Sequence, residues 1–177
     1  MRSRMNIYLD RMLAVDTAVC LHFNRTSQRI WVKGVFRAVS RLGDGLFWYT
    51  VMGGILLADR AQGLLPCLHM MAAGLVGTLV YKIIKGKASR PRPFEVSLLI
   101  LPGMPPLDRF SFPSGHTLHA VVFTTVALAY YPMLSWLLIP FTLLVAASRL
   151  VLGLHYPTDV LAGAMLGALI ARLSFLL

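Results

Sequence analysis

Apolar residues run almost unbroken through long stretches of the chain, and the polar ones gather between them. Residues 61–81, 114–148 and 150–171 contain no Lys, Arg or Glu and a single Asp, Asp159. At roughly 20 residues per crossing, this pattern predicts transmembrane helices over 44–58, 64–84, 114–131, 134–152 and 158–177. The first is short, and crosses fully only with its flank from Phe36 onward or where the bilayer thins locally. Upstream, 7–23 and 30–42 mix apolar positions with Asp10, Arg11, Asp16, Lys33, Arg37 and Arg41. That pattern predicts amphipathic helices lying at the interface or against the bundle. If 14–23 also crosses, the count becomes six and the N-terminus changes sides. The fold class expected is therefore all-α, an integral membrane helical bundle of five to six transmembrane helices with an amphipathic N-terminal segment. Arg2 and Arg4 are followed by Asn6 and Asp10, where a signal peptide needs an unbroken apolar core, so no cleavable signal is expected. No repeat or low-complexity tract divides the chain, so 1–177 reads as one domain, with the amphipathic region over 1–43 and the core over 44–177.

Composition sharpens this reading. Of 177 residues, 57% are hydrophobic and 14% charged, against about a quarter charged in soluble domains, which excludes a water-soluble globular domain. The net charge of +10 would suggest nucleic acid in a soluble chain. Here the cations sit at the ends of apolar runs and within 82–92, which points to phosphate or headgroup contacts and to no nucleic-acid partner. Cys20 and Cys67 lie in unrelated contexts without CxxC or His-Cys spacing, so neither a disulfide framework nor a zinc site is indicated.

Three segments carry chemistry. Lys85, Lys87, Arg90 and Arg92 fall within eight residues with no acid among them, a cluster suited to a multiply charged anion. Pro91 and Pro93 stiffen the backbone around Arg92. The same cations also suit a basic membrane flank on anionic headgroups. Phe112-Pro113-Ser114-Gly115-His116 opens onto an uncharged span, with Ser114 placed as helix N-cap and free N–H groups beyond it. Such an entrance binds anions, and His116 beside it can donate a proton to a leaving oxygen; an ordinary cap with an interfacial histidine is the plainer alternative. In the third segment, Arg149 is the only formal charge between Arg109 and Asp159, costly there unless partnered. His155 and Asp159 are four apart, so the carboxylate can hold the imidazole tautomer, the base-and-orienter arrangement that activates a histidine. A structural ion pair closing the last helix is the alternative. Counting crossings brings these segments to one membrane face. His22, His69 and His119 read as packing or polar contacts, with His119 near the pocket mouth, and Gly163 with Gly167 and Gly74 with Gly77 as close helix packing.

Taken together, Lys85 with Arg92-Pro93, Pro113-Ser-Gly-His116, and Ser148-Arg149 with His155 and Asp159 resemble the three-part signature of the type 2 phosphatidic acid phosphatase superfamily. The order agrees, K-x6-RP before PSGH before SR-x5-H-x3-D, from about Leu64 to the C-terminus. The resemblance implies that His155 is the nucleophile, forming a phosphohistidine, that Asp159 orients it, and that His116 is the general acid. It implies that Lys85, Arg92, Arg149, Ser114 and the backbone of Gly115 cradle the phosphoryl oxygens, with no metal or other cofactor. The implied substrates are undecaprenyl diphosphate, phosphatidylglycerol phosphate or phosphatidic acid. The implied location is a bacterial inner membrane, with the site facing the periplasm or exterior. A noncatalytic lipid-phosphate binder or transporter is the competing reading, and vanadate-dependent haloperoxidase chemistry a more distant one.

Overall fold

The structure is a computed structural model that describes the backbone of residues 4–176 and the side chains of 11–176. Arg2 and Leu177, and the side chains of Arg4, Asn6 and Asp10, which entered the sequence reading, lie outside the described residues. Every element among the described residues is helical. The chain runs through α1 (Arg4–Thr26), α2 (Ile30–Arg41), α3 (Phe47–Asp59), α4 (Leu64–Lys87), α5 (Pro93–Val96), α6 (Gly115–Tyr130), α7 (Ser135–Val151) and α8 (Pro157–Leu173). A helix thus occupies each of the five apolar stretches, with ends within a few residues of those expected. Two segments, Leu64–Lys87 and Pro132–Val151, are long and apolar enough to cross a bilayer by themselves.

α3 is short because the helix entering it is broken. A π-helical turn, Leu42–Leu46, joins α2 to α3, and Gly45 within it adopts φ of 145°, a conformation that side chains rarely adopt. The flank that the first span needed is therefore helical but kinked, and the kink turns Asp44 toward the other helices.

α6 is the central element and packs against α8, α4 and α7, while α1 covers α7 and α8, and α2 covers α7. Lipid is as apolar as Leu, so association inside a bilayer depends on close packing of small residues. Gly163 and Gly167 of α8 meet this requirement, for a Cβ at either position would stand 2.5 Å from the carbonyl oxygens of Ser114 and Leu118. Gly74 and Gly77 of α4 admit Phe123 and Leu118 in the same way. The core between the helices is built from Trp48, Met70, Leu118, Val122, Leu138 and Val145. Leu75, Leu79, Ile83, Leu143, Leu161 and Met165 point outward, a surface suited to hydrocarbon.

Three ties hold the end of the bundle that carries the motifs. Asn24 of α1 donates to Leu101 O at 2.9 Å and Val151 O at 3.0 Å, and accepts from Leu101 N. Gly153, at φ 67°, turns the chain between α7 and α8 where any Cβ would meet Ile100 and Asn24. Gly103 N donates to Leu152 O at 2.8 Å, fixing the long connection between α5 and α6 against that turn.

Candidate active site

The three motifs converge on one cavity of about 480 Å³, whose lining includes Lys85, Arg92, Gly115, His116, Arg149 and His155. Lys85 reaches it from the last turns of α4, with Nζ donating to the Tyr81 hydroxyl at 3.0 Å. Arg92, between its two prolines, has an extended backbone and caps α5. Its buried guanidinium donates to Leu154 O at 2.6 Å, which ties the first motif to the turn carrying His155. Arg149 is buried at the end of α7 and donates through Nη1 to Ser40 of α2 at 2.6 Å. Its Nε has no hydrogen-bond partner among the described residues.

Gly115 begins α6 so closely against Tyr81 that a Cβ would approach the ring to 2.8 Å, which leaves the first-turn N–H groups open to the cavity. Ser114 holds the N-cap position, but its hydroxyl pairs with Thr117 Oγ1 at 2.9 Å rather than with a backbone N–H. It is fully buried and does not line the cavity. Its backbone N–H donates to Asp159 O at 3.0 Å, joining the second motif to the third. His119 lines the cavity and is fixed by Thr78 and by Gly115 O.

His155 is buried, with Nδ1 3.8 Å from Asp159 Oδ2. That is ion-pair range and too long for a hydrogen bond. Burial pushes the imidazole pKa down to about 3 in spite of Asp159, with Arg149 and Arg92 adding to the shift, so the ring is neutral and its nitrogen lone pair is free. Asp159 is anchored separately, accepting Tyr156 N at 2.8 Å and Arg90 Nη1 at 2.6 Å. Arg90 in turn bonds Asp16 of α1 at 2.5 Å and stacks over the Tyr156 ring, 4.0 Å from its centre. Asp16 also accepts from Thr158 N at 3.1 Å. A buried chain of charge therefore runs from α1 to the carboxylate behind His155.

Two further acids enter the site from outside the motifs. Asp44, from the kinked turn, makes an ion-pair contact with His116 Nε2, although the contact lacks hydrogen-bond alignment. Asp108, from the connection between α5 and α6, lies 2.8 Å from Lys85 Nζ and 2.7 Å from Arg92 Nη2. Burial opposes its charge, but hydrogen bonds from Lys85 and Tyr81 and the charges of Lys85 and Arg92 outweigh that and hold its carboxyl below the usual range. Asp16, Asp44 and Asp108 were not anticipated as site residues, and of the cation cluster read as an anion site, Arg90 pairs with Asp16 and Asp159 instead, and neither it nor Lys87 lines the cavity. The one signal for Asp44 was an acid between two glycines at the head of an apolar run. Among the described residues, no group of three His, Cys, Asp or Glu side chains gathers as metal ligands would.

Several cations, a neutral buried imidazole with a carboxylate behind it, a second histidine and a helix N-terminus are the parts that phosphoryl transfer needs. A sequence model of the PAP2 superfamily matches residues 63–177. The chain belongs to that superfamily. Among its PAP2 relatives is the undecaprenyl-diphosphatase of Sulfolobus acidocaldarius, 31% identical over 150 residues, covering 81% of this chain and 69% of that one. The crystal structure of the transmembrane PAP2 type phosphatidylglycerolphosphate phosphatase from Bacillus subtilis superposes with a TM-score of 0.67 at 26% identity, covering 93% of this chain and 85% of the other. Aquifex aeolicus LpxE shares the fold, with a TM-score of 0.77 at 23% identity over 90% of this chain and 94% of its own. The PAP2 resemblance read from the three motifs is thus correct, and the protein is a membrane lipid phosphatase, a hydrolase.

Proposed function

We propose that the protein removes a terminal phosphate from a membrane lipid, with undecaprenyl diphosphate, phosphatidylglycerol phosphate and phosphatidic acid as the candidate substrates. The shape of the cavity carries this reading. Its lining runs along α4 from Met71 to Lys85, 14 residues, or about 21 Å at 1.5 Å per residue. At one end stand Lys85, Arg92 and Arg149; at the other stand Met52, Met71, Leu75 and Phe123. Tyr49 and Leu75 on the walls are largely exposed, so the apolar end opens sideways between α3 and α4 to lipid. An amphiphile can leave its tail there and present its head to the cations.

In this reading a ring nitrogen of His155 attacks phosphorus, the N–P bond forms, and the P–O bond to the lipid breaks. His116 gives a proton to the departing oxygen, and Asp44 beside its Nε2 favours the protonated form that does so. Lys85, Arg92, Arg149 and the Gly115 N–H take the phosphoryl oxygens as negative charge builds on them. Ser114 acts through the α6 N-terminus it caps. Asp159 closes on His155 Nδ1 as the imidazole becomes a phosphohistidine. Water then attacks phosphorus, its proton passing to the deprotonated His116 as the N–P bond to His155 breaks, and phosphate leaves. α3, α4, α6, α7 and α8 are the crossing helices, with α1 and α2 against them, and the site faces the periplasm or exterior of a bacterial inner membrane.

The test is phosphate release by detergent-purified protein with EDTA present, over those three lipids, beside the His155→Ala variant. Release that depends on His155 is expected from at least one of them. Equal release by a folded His155→Ala protein would sink the assignment of the nucleophile, and no release at all would favour a binder or transporter.

A further inference from the structure

Asp108 belongs to none of the three motifs, yet it is the group that the cationic cradle grips. Its Oδ1 lies between Lys85 Nζ at 2.8 Å and Arg92 Nη2 at 2.7 Å, and its Oδ2 accepts the Tyr81 hydroxyl. Arg92 also donates to the Asp108 backbone carbonyl, through Nε at 3.2 Å and Nη2 at 3.1 Å. An ammonium and a guanidinium converging on one anionic group is the arrangement a phosphoryl group takes. A phosphate therefore reaches Lys85 and Arg92 only by displacing the Asp108 carboxylate. The side chain has room to withdraw, being 32% exposed and carried on the connection between α5 and α6 beside the exposed Leu107.

We propose that Asp108 is a specificity-determining residue, an internal counter-anion that admits terminal phosphates and turns away the phosphodiester headgroups of ordinary membrane lipids. The inference rests on the lipid-phosphatase reading of the site. A phosphodiester carries one negative charge, so exchanging it for a carboxylate leaves the electrostatics of Lys85 and Arg92 unchanged. The carboxylate also has the advantage of being tethered, always at high effective concentration. A terminal phosphate has a second ionisation near pH 6 and carries between one and two charges at neutral pH; a diphosphate carries more. The extra charge and the extra oxygen have a recipient, since Arg149 Nε is buried and unpartnered among the described residues and Arg149 lines the same cavity. Discrimination of this kind is what an enzyme needs when its substrate is a minor lipid among phosphodiesters that share its tails.

The experiment compares inorganic phosphate with dimethyl phosphate as ligands at pH 8, by calorimetry on purified protein in uncharged detergent, for the wild type, Asp108→Asn and Asp108→Glu. Displacing a charge-assisted hydrogen-bonded carboxylate sets the expected scale, about tenfold or more in affinity. The wild type should prefer phosphate by at least that factor. Asp108→Asn should bind dimethyl phosphate about tenfold more tightly than the wild type, narrowing the preference, and Asp108→Glu should restore it. In mixed micelles, phosphatidylglycerol should inhibit lipid turnover by Asp108→Asn and leave the wild type little affected. Asp108→Asn binding dimethyl phosphate no more tightly than the wild type overturns the proposal. So does a wild type that fails to distinguish the two anions, a result that needs no folded variant. A wild type that shows the charge preference but hydrolyses no lipid phosphate would instead overturn the phosphatase reading and leave the anion filter standing.

Discussion

Gly163 gives the sharpest test of how the site is assembled, because the neighbour it faces is backbone and cannot rotate away. A Cβ there would stand 2.5 Å from Ser114 O, with Ser114 C at 3.3 Å and Leu118 N at 3.4 Å. Restoring an ordinary contact of 3.4 Å or more requires α8 to retreat from α6 by about 0.9 Å. Overpacking of this kind costs about 1–3 kcal/mol. The retreat also pulls on the bond from Ser114 N to Asp159 O, the direct link between the second motif and the third. A misplacement of about 1 Å between reacting groups can cost about 100-fold in rate. Gly163→Ala is therefore expected to lower the thermal midpoint and to cut kcat by about two orders of magnitude, with KM changed by only a few-fold. Gly167→Ala meets the same obstacle, Leu118 O at 2.5 Å, but about one turn, or 5.4 Å, farther from Asp159. It should lose similar stability and much less kcat. Thermal unfolding in detergent and phosphate release from one lipid substrate, measured on both variants, check the pair. A Gly163→Ala protein with unchanged midpoint and unchanged kcat would refute the argument that close approach of α6 and α8 sets the distance between His116 and His155.

Other expectations address the charges. His155 has its pKa lowered to about 3 by burial, so the protonated form appears only near and below that pH, and acidifying from pH 8 to 4 does not remove the nucleophile; a His155 imidazole titrating near 6.5 in an NMR series would contradict this. Asp16→Asn removes a buried partner from Arg90 and should cost about 3 kcal/mol of stability. It should also lower kcat through Asp159, and combining it with Arg90→Gln should add little further loss, as a double-mutant cycle would show. Asp44→Asn should reduce kcat at least about tenfold for a lipid leaving group and much less for an aryl phosphate, whose leaving oxygen needs no proton; equal deficits on both substrates would exclude a role through His116.

The parts of the site carried by local sequence were readable, because each motif lies at the end of an apolar run and the runs fix which ends meet. Lys85, Arg92, His116, Arg149 and His155 fall around one cavity for that reason. The acids that complete the site were not readable, since their meaning depends on partners far along the chain. Asp16 meets Arg90 across 74 residues and Thr158 across 142, and Ser40 meets Arg149 across 109. No spacing rule connects such positions. The kink at Gly45 likewise needs a backbone conformation that the run of apolar residues after it conceals.

The N-terminal helices divide their polar residues between a buried face and an exposed one. In water, the polar stripe of a helix faces solvent and the apolar stripe faces the core. Here Asp16, Asn24, Ser27 and Ser40 are buried, while Arg11, Arg25, Arg29, Arg37 and Arg41 stay exposed beside Val15, Ile30, Trp31 and Val35. The buried polar residues are those that find partners inside the protein. Where the exterior is hydrocarbon, an apolar side chain loses nothing by staying outside, and a polar one gains by finding partners within the protein. Asp16 finds Arg90 and Thr158, Asn24 finds Leu101 and Val151, and Ser40 finds Arg149. Arg90, Arg149, Val151 and Thr158 lie within the first and third motif segments, and Leu101 lies in the connection between α5 and α6. Asp16, Asn24 and Ser40, rather than the exposed arginines, are the residues by which α1 and α2 hold the motif-bearing end of the bundle together, and they favour helices docked against the bundle over helices that merely rest at the interface.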